Sequence, residues 1–211
     1  MRACCVIVGL VLVGCQASAS RHWESLAATG TAEALAGARA VLSVEARFGG
    51  AIRDAEAERR MQRIGRRLTQ RVPSFGSGFQ YRLLNSDRRN AVSLPGGYVY
   101  ITRGLYETLS SDGVLAATLA HEIAHIVCRD HFKPLPRDSG QALDKELSAD
   151  AYAASLLDAP GLDSMALVDL MPLVRDAQPA GWADARTTSL RRMIDGSQNN
   201  EAYTVLPLDL L

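Results

Sequence analysis

The chain has 211 residues, 47% of them hydrophobic, which suits one domain with a substantial core. Its 23 Lys and Arg balance 23 Asp and Glu, and zero net charge leaves no electrostatic footprint for a nucleic-acid partner. Of the 4 Cys, three lie near the start (Cys4, Cys5, Cys15), so Cys128 has no evident partner for an intramolecular disulfide.

Met1-Arg2 is a short positive start, and the apolar run from Ala3 to Gly14 has a signal-peptide length, too short for the ~20 residues of a membrane span. It ends in Leu12-Val13-Gly14-Cys15, which resembles a bacterial lipobox. Residues 1–14 are therefore expected to be a lipoprotein signal peptide, and 15–30 a lipidated Cys15 followed by a tether. Residues 31–211 are expected to form one domain. Gln16, where an Asp would favour inner-membrane retention, points to the outer membrane. The competing expectation is a plain signal peptide cut near Ala17 or Ala19.

Residues 31–48 form an Ala-rich helical pattern stopped by Gly49-Gly50. A second helix is expected over 51–72, with Ala57, Met61, Ile64, Leu68 and Val72 at helical spacing. It carries a stripe of Arg60, Arg63, Arg67 and Arg71, read either as a solvated face or as a contact for anionic headgroups. Pro73 to Gly78 breaks the pattern. Phe79–Leu84, Ala91–Leu94 and Tyr98–Thr102 read as strands of a small antiparallel sheet, with Pro95-Gly96-Gly97 as the turn between the last two. A helix capped by Ser110, Ser111 or Asp112 is expected to run to about Asp130. A Pro-containing loop from Lys133 to Gly140 leads to a helix ending near Pro160-Gly161. Shorter helical patterns follow at 162–175 and 185–195. Glu201 to Leu211 is apolar without a period, either a strand or a tail over the cleft.

The third of these helices contains His121-Glu122-Ile123-Ala124-His125. Positions four apart share a helical face, so both imidazoles can reach one zinc ion at about 2.0–2.1 Å. Glu122 lies about 100° around the helix, badly placed as a ligand but well placed to take a proton from an activated water. Two candidates compete for the third ligand. His131 has metzincin-like spacing, but Cys128 stands where that pattern has a Gly to end the helix sharply. If the helix continues, His131 lies about 15 Å along the axis from His121 and misses the metal. Glu146 is the better candidate by its likeness to zinc peptidases that use a second helix, in which such a Glu is the ligand and an Asp one turn later, here Asp150, holds the free ring N–H of a ligand His.

Asn90 to about Leu157 resembles the gluzincin family that includes the heat-shock peptidase HtpX and the CAAX prenyl peptidases, most of all its small bacterial periplasmic lipoprotein members. The resemblance rests on Asn90-Ala91-Val92-Ser93-Leu94-Pro95-Gly96-Gly97-Tyr98-Val99-Tyr100-Ile101-Thr102-Arg103-Gly104-Leu105, on Leu119-Ala120-His121-Glu122-Ile123-Ala124-His125, and on Glu146 with Asp150. Ile64-Gly65-Arg66-Arg67-Leu68 extends it upstream. It implies an α+β, mostly helical zincin-like metallopeptidase domain. One Zn2+ per chain would be bound by His121, His125 and Glu146, with Glu122 as general base and Asp150 supporting a ligand. It further implies an exported, periplasm-facing endopeptidase acting on extended, misfolded or unassembled envelope proteins, with outer-membrane assembly partners. One departure stands out. The family's His-Pro pair followed by an Arg is sought here in Asp184–Arg192, where Arg191 matches but no His occurs. The oxyanion donor is unassigned, with Arg191, Tyr152 and Tyr203 as candidates. Two alternatives stay open: a zinc-bearing lipoprotein acting as chaperone or assembly factor, and a metzincin-like peptidase using His131.

Overall fold

The structure is a computed structural model, and it describes residues 31–70, 72 and 78–198. The expected signal peptide, Cys15, the expected tether, Arg71, Tyr203 and the apolar C-terminal segment lie outside these residues.

Helix α1 (Thr31–Arg47) leads through Gly49 and Gly50, both at positive φ, into the two-residue strand β1 (Ala51–Ile52). The helix expected from residue 51 therefore starts later. Ala51 and Ile52 pair with Leu84 and Leu83, and Asp54 then caps α2 (Ala55–Leu68), its Oδ1 accepting from the backbone N–H of Glu56 and Ala57 at 3.0 Å each. The apolar face of α2 is buried through Ala57, Met61, Ile64 and Leu68. Its arginine face is partly used within the fold, because Arg60 Nε and Arg63 Nη2 bind the two oxygens of Asp112 at 2.7 and 3.1 Å. Arg67 instead reaches the carbonyl of Pro160.

Strands β2 (Gln80–Leu84), β3 (Ala91–Leu94) and β4 (Tyr98–Thr102) complete a sheet of order β1-β2-β4-β3. Gly96 and Gly97, at φ 79° and 92°, make the expected tight turn, so β3 and β4 pair antiparallel from Ala91↔Ile101 to Leu94↔Tyr98. The sheet is nevertheless mixed, not purely antiparallel. The chain leaving β2 crosses to the outer position before turning, so β4 returns between β3 and β2. It runs parallel to β2, with Gln80↔Tyr98 through Leu84↔Thr102. This leaves β3 at the sheet edge.

A short helix α3 (Arg103–Tyr106) leads to α4 (Asp112–Val127), which Ser111 caps by accepting from Val114 N–H at 3.2 Å. Every residue of α4 from Val114 to Ile126 is buried. A helix that is buried all round sits at the centre of the domain, and α4 packs against α2, β3, α5 (Ser139–Asp158) and α6 (Ala166–Val174). After α6, a turn of 3-10 helix (Arg175–Ala177) precedes α7 (Trp182–Gln198), which packs on α5 and α6. The main core joins Met61, Leu68, Leu83, Ile101, Leu115, Leu119, Ile123, Leu157, Leu167 and Met171. Among the described residues, no helix is long and apolar enough to cross a membrane.

Candidate metal centre

The central helix fixes two imidazoles one turn apart, their ring planes crossed at 84° with centroids 4.7 Å apart. His121 Nε2 and His125 Nε2 lie 3.2 Å from each other. From α5, Glu146 brings Oε2 to 3.2 Å from His121 Nε2 and Oε1 to 3.7 Å from His125 Nε2. A tetrahedral zinc site with bonds of about 2.0–2.1 Å has ligand–ligand edges of about 3.3–3.4 Å, close to the His121–His125 and His121–Glu146 distances, while Glu146 faces His125 through its other oxygen at a slightly longer distance. Two nitrogens and one carboxylate also suit zinc chemically, and they leave a fourth position for solvent or substrate. Among the described residues, these three form the cluster able to hold a metal ion. His131 is exposed at the cavity rim and is not part of it.

The surrounding shell is buried and ionic. His121 Nδ1 lies 3.0 Å from Asp150 Oδ1, and Asp150 is only 1% exposed. Arg186 grips the same carboxylate through Nε to Oδ2 at 2.7 Å and Nη2 to Oδ1 at 2.6 Å. It also approaches Glu146 Oε2 at 3.5 Å and donates to Gln178 Oε1 at 3.1 Å. On the other side, His125 Nδ1 lies 2.7 Å from Asp130 Oδ2. Lys133 Nζ sits 2.9 Å from Asp130 Oδ1 as an ion pair without hydrogen-bond alignment.

These contacts set the proton affinities of the metal-free site. Burial alone would lower His125, but hydrogen bonds to Asp130 and Glu146 outweigh it and raise the imidazole to about 10. His121 is likewise raised against its burial by Asp150 and Glu146. Burial opposes ionisation of Glu146, yet the two imidazoles hold its carboxyl far below the usual range. Asp150 is held low by Arg186 and His121, again against burial.

The cavity over this cluster, of about 360 Å3, is walled by Ala91, Val92 and Ser93 of β3, by Glu122, and by Trp182 and Arg186 of α7. Glu122 is buried at 8% exposure within it. Of the oxyanion candidates, Arg191 is exposed and does not line the cavity, Tyr152 packs half-buried against the core, and Tyr203 lies outside the described residues. The arginine that α7 turns inward is Arg186. The reason is periodic: Ala183, Arg186, Leu190 and Ile194 form the buried stripe of the helix. Arg191 follows Leu190 and faces out. Gln178-Pro179 precedes this Arg, outside the Asp184–Arg192 stretch in which the family's His-Pro pair was sought. The sequence reading missed Arg186, though that stripe was visible in it. It also missed Asp130, whose role depends on a turn that no local motif announced.

Residues 55–143 match the sequence model of Peptidase family M48. Over that stretch the chain carries the sequence pattern of this family. Among curated proteins, the chain is similar to the beta-barrel assembly-enhancing protease of Yersinia pestis, 35% identical over 66 residues. That alignment covers 31% of this chain and 14% of the relative. The protein of the same name from Escherichia coli (strain K12) is 33% identical over 66 residues, with the same coverage. A putative beta-barrel assembly-enhancing protease of Vibrio cholerae is 29% identical over 106 residues, 50% of this chain and 21% of that protein. The chain therefore aligns with only a small part of the length of these relatives.

Proposed function

We propose that this chain is an M48-type, zinc-dependent endopeptidase of the bacterial cell envelope, cutting extended segments of misfolded or unassembled envelope proteins. The observation that carries the reading is the convergence of His121, His125 and Glu146, with ligand atoms within 4.8 Å of one another, beside buried Glu122 and under the open edge of β3. His121, His125 and Glu146 would hold the zinc, which when bound would supply Lewis acidity towards a water molecule and the scissile carbonyl. Glu122 takes the proton of the attacking water and delivers it to the leaving amine. Asp150 accepts the Nδ1 proton of His121 and leaves Nε2 free to ligate, while Arg186 fixes Asp150 from behind. Ala91, Val92 and Ser93 form the strand edge on which an extended peptide can pair beside the catalytic glutamate. Lipid attachment at Cys15 would hold the domain at the outer membrane, facing the periplasm, where the relatives' name suggests assembly partners.

Metal content separates this reading from the metzincin-like one. Glu146→Ala should lose stoichiometric zinc while His131→Ala keeps one zinc per chain. The reverse result gives the third ligand to His131 and removes Glu146 from the account. The name of the relatives favours a second reading, an assembly factor whose metal is structural. In that case a Glu122→Gln protein would fully rescue a strain lacking the gene.

A further inference from the structure

Helix α4 ends abruptly one residue after its buried stretch, and the form of that ending matters to the metal centre. The expected run to Asp130 stops at Val127, because Arg129 takes the left-handed conformation at φ 53°, a backbone state that costs any residue with a Cβ. Arg129 N–H donates to Ile126 O and Asp130 N–H to His125 O, both at 3.0 Å. These are the two bonds of a Schellman closure. The closure reverses the chain and returns Asp130, 4% exposed, against His125 Nδ1 at 2.7 Å. The Arg129 guanidinium points the other way, to α1, with Nε 2.7 Å from Glu33 Oε1.

We propose that Asp130 is a positioning residue for the ligand His125, and that α1, through the Glu33–Arg129 pair, holds the turn that presents Asp130. Docking of the N-terminal helix thereby sets how well the site holds its metal. The proposal rests on the zinc reading above. Its chemistry is direct: an Nδ1–H donated to a carboxylate fixes the ring tautomer with Nε2 free, orients the plane, and raises ligand basicity. A strained turn with no glycine has no intrinsic hold on that geometry, so a clamp from outside has a purpose. Lys145 adds a second hold, donating to the Asp130 carbonyl at 3.3 Å.

The test is zinc affinity by chelator competition, with the visible spectrum of the cobalt(II)-loaded protein as a second readout, on chains whose folding is checked by circular dichroism. Asp130→Ala should weaken zinc about 10–100-fold and shift the cobalt bands, and Asp130→Asn, which still accepts a hydrogen bond, should lose less. Glu33→Gln and Arg129→Ala should each weaken zinc several-fold. Arg129→Gly should stay close to the parent, because glycine holds the left-handed turn without the clamp. If both Asp130 variants bind zinc within twofold of the parent with unchanged cobalt bands, the positioning role is overturned. If Glu33→Gln and Arg129→Ala match the parent, or Arg129→Gly is as weak as Arg129→Ala, the clamp from α1 is overturned. A parent that binds no zinc at all would instead sink the zinc reading on which the proposal stands.

Discussion

Replacing Arg186 by Met leaves Asp150 as a carboxylate at 1% exposure, stripped of a bidentate partner that holds it at 2.6 and 2.7 Å. Removing one member of a buried ion pair costs about 3–5 kcal/mol, because the remaining charge stays desolvated. His121 Nδ1, 3.0 Å from Asp150, still donates one hydrogen bond, so the lower figure of about 3 kcal/mol applies. In a domain of this size that corresponds to a fall of about 6–12 °C in Tm. Arg191→Met, five residues on but exposed, should stay within about 0.5 kcal/mol. Neutralising both partners in Arg186→Met/Asp150→Asn should recover part of the loss, since the orphan charge is then gone. Urea unfolding of the zinc-saturated proteins measures all four chains. If Arg186→Met and Arg191→Met cost the same, the buried pair does not organise the site and the reasoning from burial fails.

Three further predictions concern the pH response, the α2 contact and the central helix. In the metal-free protein, His125 is raised from 6.5 to about 10, so its pairing with Asp130 and Glu146 contributes stability fully below about 6.5 and loses it as pH climbs through about 10. Zinc replaces that proton, so the Tm gap between zinc-loaded and chelated protein should widen from pH 6.5 towards 10, and a constant gap would contradict the assignment. Gly65→Ala should destabilise by about 1–3 kcal/mol, since a Cβ there would overlap the buried Tyr81 ring. Helix propensity alone predicts a gain of about 1 kcal/mol, so the sign seen in thermal melts decides. Ser111→Ala removes the cap on Val114 and should cost about 1 kcal/mol in the same melts.

Periodicity and punctuation carried most of the architecture. The strands at Ala91–Leu94 and Tyr98–Thr102 and their Gly96-Gly97 turn were readable because alternation and positive-φ glycines are local signals. The parallel pairing of β2 with β4 was not, because it depends on which side of the sheet β3 occupies, a long-range choice. Residues 51–54 looked like the start of a helix until pairing with Leu83 and Leu84 claimed Ala51 and Ile52. At the site, His121, Glu122 and His125 follow from spacing within one helix. Glu146 and Asp150 needed the family resemblance, since only the packing of α5 on α4 brings them near. Arg186 was hidden by its neighbour Arg191, although the buried spacing of Ala183, Leu190 and Ile194 singles it out. Asp130 was unreadable because an arginine, not a glycine, takes the left-handed position that creates its contact.

The central claim is that Glu122 moves protons for a zinc-assisted hydrolysis and does nothing to hold the metal. The most direct measurement is zinc content and casein hydrolysis of the parent beside Glu122→Gln, prepared identically. The account predicts one zinc per chain in both and proteolysis in the parent alone, with turnover in the variant reduced at least about 100-fold. Undiminished hydrolysis by Glu122→Gln, or loss of zinc from it, would contradict the account.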